Sequence, residues 1–198
     1  MKRNFFTLVT TILFAAPCDA SLVGHWQFDD PGNLGLDSAG GDNNGAGGGD
    51  AIFSGSARVG AGALAVDGSG TGLQVANSEL FQPLTTFTMA AFVNADLNNL
   101  AFGAPNGVGR IFSSLRTPPG DLSNGNNGYG FAVLANGRFR YTTYGVQDYD
   151  TSLGALVPTD VWAHVAVVVT EGSAEFFVNG NSVQTIGGGN PNTPTDPF

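Results

Sequence analysis

The sequence predicts an all-β fold, a two-sheet antiparallel jelly-roll sandwich. Three observations predict it. Gly is very frequent, at 30 residues, beside 15 Phe, which pairs turn formers with aromatic strand formers. Short apolar runs alternate at a period of two along much of the chain, and no stretch keeps the three-and-four spacing of a long helix. Asn-Gly dipeptides at 136–137 and 179–180 separate pairs of such runs. That is the strongest local hairpin signal, because both residues tolerate the positive φ of a type I′ turn. Many short strands with turns between them make a sandwich or jelly roll.

The elements follow in order. Leu22 to Phe28 alternates, with Leu22, Trp26 and Phe28 on one face. Ala63 to Val66 and Leu73 to Ala76 are short runs split by a Gly-rich turn. Thr86 to Asn94 is longer, and Arg110 to Leu115 follows. Tyr129 to Ala135 and Arg138 to Tyr144 flank Asn136-Gly137. Val161 to Thr170 and Ala174 to Val178 flank Glu171-Gly172-Ser173, and Val178 turns through Asn179-Gly180 into Ser182 to Ile186. Gly32 to Gly49, Asp96 to Gly109 and Thr117 to Gly128 are rich in Gly, Asn, Asp and Pro and read as long loops, where function often collects.

Residues 1–20 read as a secretory signal peptide, with 21–198 as one domain outside the cell or at its surface. Lys2 and Arg3 open the segment, Phe5 to Ala16 is apolar but too short to span a bilayer, and Ala20 precedes Ser21 at the cleavage point. A retained anchor helix is the alternative. Cleavage leaves no segment for membrane insertion. It also removes Cys18, the only Cys, so the domain has no disulfide. The formal net charge of the whole chain is -9, and loss of Lys2, Arg3 and Asp19 makes it one unit more negative and leaves no Lys. Such a chain repels nucleic acid and anionic membranes.

Four stretches together resemble the laminin-G-like, concanavalin A-like lectin and glucanase family, in the form common among secreted bacterial proteins. The first is Leu22-Val23-Gly24-His25-Trp26-Gln27-Phe28-Asp29-Asp30, followed by Asp37-Ser38-Ala39-Gly40 and Asn43-Asn44-Gly45. The second is Gly62-Ala63-Leu64-Ala65-Val66-Asp67-Gly68, leading into Leu73-Gln74-Val75. The third is Phe87-Thr88-Met89-Ala90-Ala91-Phe92-Val93. The fourth is Val161-Trp162-Ala163-His164-Val165-Ala166-Val167, closing with Phe176-Phe177-Val178-Asn179-Gly180. The resemblance implies a jelly roll from residue 22 to about 186. Two departures stand out. The family usually adds further strands after this point, so the last strands are expected to be missing here, which would leave an open edge. And Ser69-Gly70-Thr71-Gly72 stands where a paired acid is usual after Asp67-Gly68.

The chemistry points to binding rather than catalysis. Glucanases of this fold carry Glu-x-Asp-x-Glu on a strand, because alternation puts the carboxylates on one face and retaining hydrolysis needs two carboxyls about 5–5.5 Å apart. This chain has only Glu79, Glu171 and Glu175, and none in that pattern. Asp148 and Asp150 have strand spacing but read as loop residues in solvent. No Gly-x-Ser-x-Gly nucleophile elbow is present, and His25 and His164 are too few for a three-His zinc site. His164 reads as a strand-packing residue. The chain is therefore expected not to be an enzyme.

Calcium is the candidate cofactor. It takes six to eight oxygens, and the resemblance makes Asp37 and Asp67 the first candidate ligands; the alternative is that these Asp simply favour turns. A glycan site needs an aromatic platform beside planar polar groups. Arg138, Arg140 and Thr142 share one strand face, and Phe139, Tyr141 and Thr143 share the other, which packs the core. Arg138 and Arg140 then look outward beside Tyr129, Asn126 and Asn127 and beside Tyr144, Gln147 and Tyr149. The candidate ligand-binding residues are Arg138, Arg140, Tyr129, Tyr144 and Asn127. The expected partner is an extracellular polysaccharide or glycan; a surface protein, bound in an adhesion role, is the alternative.

Overall fold

The computed structural model describes residues 20–68, 72–76, 86–100, 107–115, 128–144, 147–152 and 156–187. Residues 1–19 of the 1–20 segment that reads as a signal peptide, Glu79, Asn126, Asn127 and the tail 188–198 lie outside them. The described residues form twelve strands and no helix: β1 Gly45–Gly47, β2 Ile52–Ser54, β3 Ala63–Ala65, β4 Leu73–Val75, β5 Phe87–Val93, β6 Val108–Leu115, β7 Gly128–Leu134, β8 Phe139–Thr143, β9 Gln147–Asp150, β10 Ala163–Thr170, β11 Ser173–Val178 and β12 Asn181–Gly187.

Two four-stranded antiparallel sheets make the body. One runs β6-β7-β8-β9 and the other β12-β11-β10-β5. After β5 the chain leaves for the first sheet, completes its four strands in sequence order, and returns so that β10 lies against β5. Two small antiparallel pairs, β1-β4 and β2-β3, carry the N-terminal third.

Alternation puts large side chains between the sheets. β10 turns Ala163, Val165, Val167 and Val169 inward, all buried. β7 turns Tyr129, Phe131 and Val133 inward, and β8 turns Phe139 and Tyr141 inward, as expected from its pattern. Phe112, Phe131, Tyr141 and Tyr149 stand in register across the first sheet as a row of four aromatics. The sheets meet where Phe87 of β5 packs on Tyr129 at 4.9 Å and where Phe176 of β11 stacks on Phe139 at 6.3 Å between centroids. Each such ring contributes roughly 1.5–3 kcal/mol by burial.

Three expectations are corrected. Leu22 to Phe28 is not a strand: it makes a single antiparallel bridge, Trp26 to Asp37. Phe28 adopts φ 61°, which ends the extended run, and the Trp26 ring lies back over Gly24. Gln147–Asp150 is a strand, β9, rather than a loop; it pairs with β8 from Arg140↔Asp150 to Thr143↔Gln147. The two Asn-Gly turns also differ from each other. Asn179 and Gly180 both have positive φ (49° and 81°) and connect Val178 directly to its partner Asn181, a type I′ turn. At 135–137 only Gly137 is left-handed, at 74°. Gly137 N–H donates to Leu134 O and Leu134 N–H to Arg138 O, so this is a three-residue loop closed by a glycine bulge.

Candidate functional site on the outer face of one sheet

The outer face of β6-β7-β8-β9 is defined by two cross-strand rows. Ser113, Gly130, Thr142 and Asp148 are in register in one; Arg110, Ala132, Arg140 and Asp150 are in register in the next. Opposed residues of paired strands share a face, so both rows lie opposite the buried aromatics. β7 contributes only Gly130 and Ala132 to these rows, and small residues in the middle of a sheet leave room for neighbouring side chains to lie down.

Arg140 is the centre. Its Nε and Nη2 donate to the two oxygens of Asp150 at 2.6 and 2.7 Å, a bidentate pair. Its Nη1 reaches Asp148 Oδ2 at 2.8 Å, and the Thr142 hydroxyl donates to the other Asp148 oxygen. The hydrogen bonds it donates to Asp150 push the guanidinium pKa above its already high ordinary value, against the opposing effect of partial burial. Arg138 points the same way and donates through Nε to the carbonyl of Thr151. Thr151 is itself fixed by backbone and hydroxyl bonds to Phe139.

Tyr144 follows β8 on the same face. Its hydroxyl bonds Ser113 Oγ at 2.9 Å. The ring lies across Gly130, so close that a Cβ there would meet its hydroxyl. The Arg110 guanidinium carbon stands over the ring, 5.6 Å from the centroid. The face therefore carries an aromatic ring, three Arg, two carboxylates and the hydroxyls of Ser113, Thr142 and Tyr144. These are planar donors and acceptors suited to a polyhydroxylated ligand.

Of the five candidate ligand-binding residues, the structure brings Arg138, Arg140 and Tyr144 together on this face. Tyr129 is a correction: it is 2% exposed, faces between the sheets, and stacks on Phe112. Burial pushes its hydroxyl pKa up to about 12. Tyr149 is likewise buried, against Tyr141. Asn127 lies outside the described residues. Sequence reasoning missed Arg110, Ser113, Gly130, Asp148 and Asp150. The two Asp were set aside as solvated loop acids, yet both bind Arg140.

The two candidate calcium ligands, Asp37 and Asp67, have different surroundings. Asp37 is buried, and burial, the largest single effect, opposes its ionisation. Four donors outweigh it and hold its pKa below the ordinary value: the backbone N–H groups of His25, Ala39 and Asn43, and the Asn43 side-chain amide. Both oxygens thus accept from N–H groups. Asp67 is exposed, next to Gly68, whose N–H donates to the buried Asp50. Among the described residues no group of three or more His, Cys, Asp or Glu side chains comes together. His25 binds Ser38 through Nδ1, and His164 packs edge-on against Phe92 at 5.0 Å, as a strand-packing residue would. No described helix is long and apolar enough to cross a membrane.

Comparison with known proteins bears on this geometry. A laminin-G family model described as the concanavalin A-like lectin/glucanases superfamily matches residues 67–198. Among solved structures the chain is similar to domain 4 of AbnA, a GH43 extracellular arabinanase from Geobacillus stearothermophilus, in complex with arabinotriose. The identity is 17% and the TM-score 0.52, over 85% of this chain and 76% of that one. At that identity the likeness concerns the fold. No curated protein matches.

Proposed function

Because the chain belongs to the concanavalin A-like lectin/glucanase superfamily, we propose that it is a secreted carbohydrate-binding module whose site is the outer face of β6-β7-β8-β9. One observation carries the reading. Arg140, clamped between Asp148 and Asp150, stands on the outer sheet face, which also bears Tyr144 laid across Gly130. Paired planar donors and acceptors beside an aromatic side chain suit the hydroxyls of a sugar. The arabinotriose bound by the similar domain supports a carbohydrate as the ligand class.

The same geometry argues against hydrolysis. Both Asp150 oxygens and one Asp148 oxygen are committed to Arg140, and the other Asp148 oxygen accepts from Thr142. Neither carboxyl is set up as an acid facing a nucleophile across a bond. Affinity electrophoresis against a polysaccharide panel tests the proposal. The chain is expected to be retarded by at least one polymer without releasing reducing sugar. Arg140→Ala and Tyr144→Ala are expected to abolish most of the retardation. Unchanged retardation in both variants would refute the site.

A further inference from the structure

We infer that Asp148 and Asp150 make this face selective for neutral, hydroxyl-rich glycans and exclude anionic ones; the inference rests on the glycan-binding reading above. A free guanidinium fork is the preferred receptor for a ligand carboxylate or sulfate, because two parallel N–H groups match two oxygens. On Arg140 that fork is already filled by Asp150, and the remaining arm goes to Asp148. One cation between two carboxylates leaves the cluster with a net charge of minus one.

The other two cations of the face keep their charge, but each already has a partner. Arg138 donates to the Thr151 carbonyl, and Arg110 stands over the Tyr144 ring. The cluster remains useful to a hydroxyl. An ionised carboxylate offers about four acceptor positions, and the Asp148 side chain is 46% exposed while, among the described residues, its two oxygens accept from Arg140 and Thr142. Sugar hydroxyls can donate to it, whereas a uronate or sulfate ester would meet it charge against charge. The chain's net charge of -9 adds repulsion at longer range.

The test uses the full chain in gels containing neutral arabinan or xylan, or anionic polygalacturonate or alginate. The expected result is retardation by a neutral polymer, with affinity for the anionic polymers weaker by about tenfold or more. The double substitution Asp148→Asn with Asp150→Asn releases Arg140. It is expected to gain affinity for polygalacturonate and lose it for the neutral polymer, while Arg140→Ala gains nothing. A second reading needs no variant: neutral-polymer affinity should hold from about 0.1 M to about 1 M salt, although the Debye length falls from ~10 Å to ~3 Å. Anionic binding as tight as neutral, or a steep fall with salt, would overturn the selectivity and leave the glycan reading standing. Binding to no polymer would overturn both.

Discussion

Gly130→Ala separates the site from the stability of the fold. Gly130 sits in the middle of β7 beneath Tyr144. An added methyl would lie inside van der Waals contact of the Tyr144 hydroxyl and 3.0 Å from its Cζ. The nearest obstructing atoms belong to the far end of the Tyr144 side chain, with Thr142 Cγ2 at 3.3 Å beside them, so Tyr144 moves and the backbone stays. Displacement breaks the hydrogen bond to Ser113, a loss of about 0.5–1.5 kcal/mol. It also removes the Arg110 contact, about 0.5–1 kcal/mol at an exposed site. Replacing a strand glycine by alanine returns roughly 0.5–1 kcal/mol of chain entropy. Net stability should fall by at most about 2 kcal/mol, a Tm shift of about 4–8 °C at most. Binding should suffer as well. An aromatic contact of about 0.5–1.5 kcal/mol beyond its buried area corresponds to a loss of roughly two- to tenfold in affinity. Thermal melting and binding titration on the same preparation read the two effects. Full affinity in a variant with normal melting would refute the role given to Tyr144.

Three further outcomes follow from the same geometry. Asp37→Ala should destabilise the fold by about 1–3 kcal/mol in denaturant unfolding, because it strips an acceptor from three backbone N–H groups and one amide. Since the folded pKa of Asp37 lies below 3.8, the unfolded chain binds the proton more readily; this stabilisation is present above about pH 3.8 and lost as pH falls through the folded value, and the acid limb should flatten in Asp37→Asn. The Tyr129 hydroxyl, raised to about 12 by burial, has the opposite sense: its contribution is present below about pH 10 and lost as pH rises toward 12. Ultraviolet titration should therefore show ionisation of Tyr129 only together with unfolding. Chelation should leave both the melting temperature and glycan affinity unchanged, since Asp37 is enclosed by donors; a fall in either would return calcium to the account.

The sequence made much of the sandwich legible, for a physical reason. Strands buried on one face must alternate, so Phe139, Tyr141 and Thr143 could be set inward against Arg138, Arg140 and Thr142 outward before any coordinate was known. The same parity would have sent Tyr129 inward with Phe131 and Val133; a polar hydroxyl at the edge of a loop drew it to the surface instead. β9 was hidden because its outer face is acidic and only Tyr149 marks its inner face. β1 and β2 have three residues each, too few for a period to register. Leu22 to Phe28 shows the converse error, in which good alternation is interrupted by one left-handed residue. The partnership of Arg140 with Asp148 and Asp150 depends on strand register, which periodicity within one strand does not contain.

Affinity electrophoresis of the intact chain through neutral polysaccharides, with reducing ends assayed in the same lanes, tests the central claim most directly. The account predicts retardation without sugar release. A folded chain that no polysaccharide retards, or one that releases sugar from a polymer, would contradict it.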